Sequence, residues 1–384
     1  MFGKKKRSAQ LAGVKDRVAE NDIGVMDLPY LILTLLLVAV GLIMLFSASF
    51  ARAYYITGNS ASYFTSQLIF AVAGVGVLYG MSRVPYEWYR GMSKIIYIIT
   101  VALLIAVKFF GTNVNGATRW INIGFVQFQP SEIAKFSLIV SLSVIMTREK
   151  ANIKSFRVFA LCAGAMILIA VLLIIEPHFS ATIIIASLCF CMMAVGGTNW
   201  KYLSIVAALA AAALLFLLLS GGYTSDRISA WRDPEADPLD NGLQILQSEY
   251  AIGSGGLLGL GFGKGRQKYL YLPEEHNDYI FAIVCEELGF IGALAILILF
   301  ALLIIRGFWI AIHARDRFSM LLATGLTTLL AIQVILNVAV VSNLIPSTGI
   351  SLPFFSSGGT ALIMQLAECG IMLNISRSIS QSPK

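Results

Sequence analysis

Charged residues, histidines and paired cysteines are all scarce in this sequence. Only 13% of the 384 residues are charged, well below the about 25% of a soluble domain. By contrast, 58% are hydrophobic and the mean hydropathy is +0.80. The three histidines, His178, His276 and His313, are too scattered for a zinc cluster, and the five cysteines lie in apolar runs typical of small buried side chains. This composition excludes a soluble enzyme and predicts a polytopic membrane protein.

Long apolar runs predict an all-α fold with ten transmembrane helices. A span needs about 20 apolar residues. The uncharged run from Phe318 to Ala367 is too long for one span, and Pro346, Gly349 and Pro353 divide it into two. The ten predicted spans are at about 28–50, 63–82, 93–110, 129–147, 156–175, 178–196, 201–220, 278–306, 319–342 and 357–376.

The distribution of Lys and Arg predicts the orientation of the ten-span domain, 28–376. Most of the 28 basic residues fall in the N-terminal tail, in alternate loops and at the C-terminus, and basic residues favour the cytoplasmic side. We therefore expect the tails 1–27 and 377–384 in the cytoplasm and the long loop 221–277, between spans 7 and 8, outside. The first 27 residues carry too many charges for a signal peptide, so we expect them to stay attached.

Two charged side chains are predicted inside the fourth span. A polar loop with Arg119 and Trp120 runs into a helix that carries Glu132 and Lys135. These two share a face because they are three residues apart. Charges within a span are costly and are candidates for function. The alternative is a structural ion pair that holds two helices together.

Two further polar junctions are candidates for a site. Glu176 and Pro177 end the fifth predicted span, and the carboxylate could belong to a site or simply lie at the interface beside a helix breaker. The loop before the tenth span contains Ser356 and Ser357, followed by two glycines. The glycines favour close helix packing, while the polar loop could line the mouth of a cavity.

The long loop combines turns, an amphipathic segment and a glycine-rich run. Its Asp-Pro and Asn-Gly pairs predict turns, and 244–256 has the apolar spacing of a short helix lying along the membrane surface. The glycine-rich run that follows contains Lys264, Arg266 and Lys268. Such a run could bind phosphate through backbone N–H groups and cations. It does not have the ending of a P-loop, and a flexible loop can be equally rich in glycine.

The long loop meets the eighth span at Asp278, where we expect the chemistry. His276 lies two residues earlier, and Glu286 and Glu287 lie deeper in the span. Asp278 could be only a helix cap. If spans four and eight pack together, however, it would lie near Lys135. A carboxylate beside a lysine stays ionised and can accept a proton at neutral pH.

Together these segments resemble the SEDS family (shape, elongation, division and sporulation). The resemblance extends from about Asp27 to Arg377 and rests on the motifs GATRWI…QPSE, DPLDNG…QS, GLGFGKGRQK, LPEEHNDYIFA, EELGFIG and LPFFSSGG. The DPEADP, QSEYAIG and RQK stretches look closer to the division and sporulation branch, which includes FtsW and SpoVE, than to the RodA-like elongation branch.

The resemblance implies a peptidoglycan glycosyltransferase of the bacterial plasma membrane. It would polymerise lipid II into glycan strands on the extracellular side and release undecaprenyl pyrophosphate. Asp278 matches the family's essential carboxylate, Lys135 matches the lysine that pairs with it, and Arg119 and Trp120 match a functional loop. Asp278 and Lys135 are therefore the expected catalytic residues.

This sequence departs from the family pattern at two places. His178 stands where the family usually has an aspartate, and the Ser356–Ser357 pair replaces the commoner Ser-Tyr. The expected substrate-binding residues are Arg119, Trp120, Glu132, Glu176, His178, Lys264, Arg266, Lys268, His276, Ser356 and Ser357.

The expected partners follow from the same resemblance. They are lipid II, a class B penicillin-binding protein that cross-links the strands, other division proteins and membrane lipids, with no nucleic acid. No metal-ligand set is apparent in the sequence, although a divalent cation such as Mg or Mn could share in stabilising the leaving group.

Two other functions fit part of the pattern. A lipid II flippase or other transporter would also use intramembrane charges and broken helices, but no clear inverted repeat is present and the long loop exceeds what gating requires. A non-catalytic division scaffold would not need Asp278, Lys135 and Arg119 together.

Overall fold

The structure is a computed structural model that describes residues 24–114, 117–123, 126–148, 152–208, 223–239 and 242–379. Within these ranges, nine helices are long and apolar enough to cross a membrane. They are α1 (Leu28–Thr57), α2 (Ser62–Met81), α3 (Glu87–Phe110), α4 (Pro130–Thr147), α5 (Phe156–Ile175), α6 (Phe179–Gly196), α9 (Ile280–Ile312), α10 (Arg317–Val341) and α11 (Gly359–Ile379). Two shorter helices, α7 (Tyr223–Arg232) and α8 (Leu243–Gly255), follow α6 in the long loop.

The predicted all-α polytopic membrane fold is confirmed. Of the predicted seventh span, residues 201–208 are helical, while 209–220 lie outside the described residues. The count of ten spans therefore stays a prediction, as does the cytoplasmic position of the tails 1–27 and 377–384. The short helix expected within 244–256 is present as α8 (Leu243–Gly255).

The segment between α3 and α4 is a small antiparallel sheet rather than the loop that the sequence suggested. Its strands β1 (Thr112–Val114), β2 (Ala117–Ile123) and β3 (Val126–Phe128) pair in the order β1-β2-β3. Thr112 pairs with Trp120 across the first two strands. β2 is rich in β-branched and aromatic residues, which favour strands. The sheet carries Arg119 next to the start of α4.

The helix α4 is largely buried within the bundle. It packs against α3, α5, α6 and α10, so side chains all around its surface face protein. Its sequence mixes serines with Leu, Ile and Val, and small polar residues allow close helix approach. A charged side chain on this helix therefore faces other helices rather than lipid.

The helix α9 is broken near its start. Gly289 has φ +67° and ψ −171°, which separates a first short segment from the long remainder. Because glycine has no Cβ, it adopts this conformation at little cost. The first segment is buried and starts two residues after Asp278. The break therefore lies just beyond Glu286 and Glu287, two residues after Glu287.

Two glycines lie where the chain packs closely: Gly359, for which the sequence predicted such packing, and Gly41, for which it made no prediction. A Cβ added to Gly41 would lie 2.4 Å from the carbonyl oxygen of Phe354, and one added to Gly359 would lie 2.3 Å from the ring of Phe70. The packing interpretation of the second glycine after Ser357 is supported by this contact.

Candidate active site

Asp278 lies in the turn immediately before α9, and its backbone is fixed by a buried amide. Nδ2 of Asn337 on α10 donates to the carbonyl oxygen of Asp278 at 2.8 Å and to that of Ile350 at 2.7 Å. Asn337 is fully buried. One side chain thus joins the Asp278 turn to the loop between α10 and α11. These bonds use the main chain of Asp278 and leave its carboxylate for other partners.

The loop between α10 and α11 packs directly on the Asp278 turn. The hydroxyl of Ser356 donates to the carbonyl of Asn277 at 2.8 Å and accepts from the amide of Leu352 at 2.7 Å. The amide of Ser357 donates to the carbonyl of His276 at 2.9 Å. Ser356 thus holds two pieces of backbone together, and its expected contact with substrate stays a prediction. Ser357 is only partly buried.

The electrostatic surroundings of Asp278 suit a base. Burial raises the pKa of Asp278 to about 6, Glu274 adds to the rise, and Arg227 and Arg119 oppose it. A carboxylate with a pKa near 6 is mostly ionised at neutral pH, yet binds a proton more readily than an ordinary aspartate. Arg119 was expected here from the sequence, and Arg227 was not.

Arg227 reaches the site from α7 in the long loop. Its Nη1 donates to the carbonyl of Ser347 at 2.6 Å. One turn later, Nε1 of Trp231 donates to the carbonyl of Asn343 at 3.0 Å. The short helix α7 is therefore hydrogen-bonded to the same loop that packs on the Asp278 turn. In this way a residue about fifty positions before Asp278 becomes part of its surroundings.

Lys135 does not pair with Asp278, contrary to the expectation from the sequence. Its Nζ lies 2.7 Å from Oε2 of Glu132, and only 3% of Lys135 is exposed. The described residues form no ion pair between Lys135 and Asp278. A partner three residues away on the same helix is already in reach without any rearrangement. The two charges are the local pair that the alternative interpretation described.

The junction between α5 and α6 adds two titratable groups beside Arg119. Burial raises the pKa of Glu176 to about 8, and Arg119 opposes this rise. Burial, followed by Arg119 and Lys135, lowers the pKa of His178 to about 3. Both groups are therefore mainly neutral at pH 7. The guanidinium of Arg119 donates to the carbonyl of Pro177.

The carboxylates of Glu286 and Glu287 accept hydrogen bonds from backbone amides of the glycine-rich run. This is the run that, from the sequence, could bind phosphate. Oε1 of Glu286 accepts from the amide of Arg266 at 2.7 Å, and Oε2 of Glu287 accepts from the amide of Gly263 at 3.0 Å. These loop N–H groups are thus used within the protein. Buried carboxylates need such donors because an unpaired buried charge is costly.

Lys268 is part of this internal network and is not a surface cation. Its Nζ lies 2.7 Å from Oε1 of Glu287 and 3.1 Å from the hydroxyl of Ser47. It is 2% exposed, and the expectation that it binds substrate stays a prediction. Lys264 and Arg266 are exposed, at the surface of the same loop.

His276 and Trp120 have different environments. His276 is buried, with its ring 4.7 Å from that of Tyr63, beside the ion pair between Arg52 and Glu275 at 2.7 Å. It supports the turn before Asp278 rather than facing an open surface. Trp120 is partly buried on β2, and its carbonyl accepts from the hydroxyl of Thr112 at 3.3 Å.

Comparison with known proteins decides the family of this chain. The model of the FtsW/RodA/SpoVE family, described as cell cycle protein, matches residues 28–381. The chain belongs to this SEDS family. The resemblance expected from the motifs is therefore confirmed.

The relatives of this SEDS chain include division and sporulation proteins. It is 40% identical over 354 residues to Stage V sporulation protein E of Bacillus subtilis (strain 168), covering 91% of this chain and 97% of that protein. It is 36% identical over 366 residues to a probable peptidoglycan glycosyltransferase FtsW of Trichlorobacter lovleyi (strain ATCC BAA-1151 / DSM 17278 / SZ), covering 93% and 94%. These matches confirm the expected closeness to the FtsW and SpoVE branch.

A solved structure shares the fold. A chain in a peptidoglycan synthase complex, whose structure concerns the coordination of polymerization and crosslinking, has a TM-score of 0.77 and 26% identity to this chain. The similarity covers 93% of this chain and 99% of that one.

Metal ligands do not converge in the part of this SEDS chain that the structure describes. Among the residues that the structure describes, no three His, Cys, Asp or Glu side chains are placed to hold an ion. The candidate base Asp278 lies within electrostatic range of Arg227 and Arg119, which disfavour a further cation. The side chains of the described residues therefore do not fit a divalent ion at this position.

Two charged residues near the candidate site were not predicted from the sequence. One is Arg227 of α7. The other is Glu368 of α11, within electrostatic range of Lys135 and Glu132. An ionisable residue inside a predicted span is a signal that could have found Glu368. Arg227 gave no such signal, because it lies in a loop where charges are ordinary.

Proposed function

We propose that this chain is a peptidoglycan glycosyltransferase that polymerises lipid II, with Asp278 as the general base. The names of its FtsW relatives support the reaction. The observation that carries the proposal is the carboxylate of Asp278, held at the boundary between a long polar loop and a membrane helix, with a pKa of about 6 and two arginines in electrostatic range. Such a boundary position suits a substrate with a polar headgroup and a lipid tail.

In the proposed reaction, Asp278 accepts the proton of the acceptor sugar's 4-hydroxyl. The hydroxyl oxygen forms a bond to the anomeric carbon of the donor sugar. The bond between that carbon and the pyrophosphate oxygen breaks, and its electron pair leaves with undecaprenyl pyrophosphate. The proton remains on Asp278 until it is passed to water.

Arg119 and Arg227 are the proposed partners of the leaving group. Negative charge grows on the pyrophosphate as the bond breaks, and fixed cations stabilise that transition state. Arg119 and Arg227 are chosen because both lie within electrostatic range of Asp278. In this proposal Lys135 does not contact the leaving group directly, because its charge is balanced by Glu132.

We infer the orientation and the partner from two further supports. The Lys and Arg distribution supports cytoplasmic tails and an extracellular loop. The similar chain of known structure belongs to a complex that coordinates polymerization and crosslinking, which supports a class B penicillin-binding protein as the partner. A role of this chain in division or sporulation is supported by its FtsW and SpoVE relatives.

The proposal is tested by polymerisation of lipid II with purified protein in detergent, with and without the partner, scored by glycan length. Asp278→Asn should abolish the product and leave folding unchanged. Glu235→Gln, which alters an exposed carboxylate in the same long loop, is the matched control and should polymerise normally. Wild-type yield from well-folded Asp278→Asn protein would refute the role of the base.

Transport of lipid II remains the second candidate, because Glu132, Lys135 and Glu368 lie on membrane-spanning helices. Neutral variants at Glu368 distinguish the two functions. If Glu368→Gln polymerises lipid II normally in detergent but fails to move it across vesicle membranes, transport is favoured. A loss in detergent that matches the loss in vesicles favours the glycosyltransferase.

A further inference from the structure

The glycine-rich loop exposes large apolar side chains, although it belongs to the long polar segment. Leu257, Leu258 and Phe262 are 69%, 79% and 51% exposed. Such a contiguous apolar surface marks a contact with another molecule or with lipid. The surface continues onto Phe290 and Ile291, which are also exposed and lie on α9, a membrane-spanning helix.

Backbone hydrogen bonds join this loop to α9 at the break in the helix. The amide of Phe290 donates to the carbonyl of Gly256 at 2.9 Å, and that of Ile291 donates to the carbonyl of Leu257 at 3.1 Å. In the other direction, the amide of Leu260 donates to the carbonyl of Glu286 at 3.0 Å. The apolar side chains of the loop and of the helix therefore form one surface at one depth.

The carboxylates at the break remove the main obstacle to placing a loop in lipid. Irregular backbone is costly there because its N–H groups have no water to bind. Glu286 accepts from the amide of Arg266, and Glu287 accepts from that of Gly263. The charge of Glu287 is balanced by Lys268. Several of the N–H groups that a glycine-rich loop would otherwise leave for water are thereby satisfied.

Two cations lie at the water side of the same surface. Lys264 and Arg266 are exposed and follow Phe262 within four residues. Basic side chains beside apolar ones match a membrane interface, where the stems lie along acyl chains and the charges reach phosphate. The charge of the headgroup phosphates complements that of the two side chains.

We propose that residues 257–271, here called the interfacial segment, lie in the bilayer interface at the membrane end where Asp278 is found. Leu257, Leu258 and Phe262 contact acyl chains, and Lys264 and Arg266 bind headgroup phosphates of phospholipids. The occupant of this surface is the bilayer. The segment thereby sets the depth of the loop that runs on to Asp278, independently of which reaction occurs there.

The proposal is tested by spin-label depth measurements on the full chain in lipid nanodiscs. In a variant lacking the five cysteines, labels are attached at Leu258→Cys and Phe262→Cys. The control is Leu239→Cys, because Leu239 is 86% exposed in an earlier part of the same long loop. Labels at 258 and 262 should collide with oxygen and be shielded from a water-soluble nickel chelate, while the label at 239 meets the chelate.

Two results would overturn this position. A label at 258 or 262 that meets the nickel chelate as readily as the one at 239 places the segment in water. Shielding from both oxygen and nickel places it against protein, either a second copy or a partner. These readouts do not depend on polymerisation, so they can fail while the proposed glycosyltransferase activity stands.

The role of the two cations has its own experiment. Phosphatidylglycerol is added to phosphatidylcholine nanodiscs that carry the label at Phe262→Cys. Shielding of the label from nickel should increase with the anionic lipid, and the increase should be lost when Lys264→Gln and Arg266→Gln are combined. An equal response of the two proteins would overturn headgroup binding by this pair.

Discussion

Gly349 lies against the carboxylate of Asp278. A Cβ built on Gly349 would lie 3.1 Å from Oδ2 of Asp278 and would meet no other atom within 4 Å. The loop between α10 and α11 therefore approaches the candidate base with bare backbone at this point. A side chain at this position would crowd the carboxylate, which an incoming hydroxyl has to approach in the proposed reaction.

Gly349→Ala should lower the rate of lipid II polymerisation more than it lowers stability. The added methyl group crowds Oδ2, while the positive φ of +67° adds backbone strain of roughly 1 kcal/mol. Gly58→Ala is the matched control, because Gly58 has φ +70° and open space around it. Thermal unfolding and initial rates are compared for both. Equal polymerisation rates in the two variants would mean that Gly349 affects the protein only through its backbone conformation and not through its contact with Asp278.

Arg227→Gln should move the acidic limb of the pH–rate profile to higher pH. The base must be ionised to act, so activity rises through the pKa of Asp278, which is about 6. Arg227 lowers that pKa, and its removal raises it. Arg227→Lys keeps a charge and should shift the limb less. Arg232→Gln, an exposed change on the same helix, should leave the limb in place; a similar shift there would indicate a nonspecific effect.

Lys135→Ala should destabilise the protein without moving that acidic limb. It leaves Glu132 without its cation in a mostly buried setting, and breaking such a pair costs about 3–5 kcal/mol. Combining Lys135→Met with Glu132→Gln removes both charges and should recover much of the loss in thermal unfolding. A clear shift of the pH–rate profile in Lys135→Ala would instead restore the direct pairing with Asp278 that the sequence suggested.

Lys268→Met should be far more damaging than Lys264→Met. Lys268 is paired with the buried Glu287, so its loss again costs about 3–5 kcal/mol. Lys264 is exposed, and changes at such positions are usually within about 0.5 kcal/mol. Adding Glu287→Gln to Lys268→Met should restore folding and rate together. Folding restored without activity would indicate that Lys268 also contacts substrate.

Several features were predictable because they depend on nearby residues or on the solvent. The nine described spans follow from apolar runs, since lipid demands about 20 such residues in a helix. The boundary position of Asp278 follows from the same runs. The Glu132–Lys135 contact was foreseen as a local alternative, because a spacing of three residues on a helix places two side chains on one face. The sheet at 112–128 was missed, although β2 has the composition of a strand.

The sequence by itself determined that this is a polytopic SEDS membrane protein and which segments carry its polar residues. Only the tertiary structure decided which charges meet. In the folded protein, Lys135 pairs with Glu132 and Lys268 is buried against Glu287. Arg227 comes within electrostatic range of Asp278. The reason is physical: hydrophobicity sets where each segment lies, but a charge pairs with whatever the packing of separate helices and loops places within a few ångströms of it.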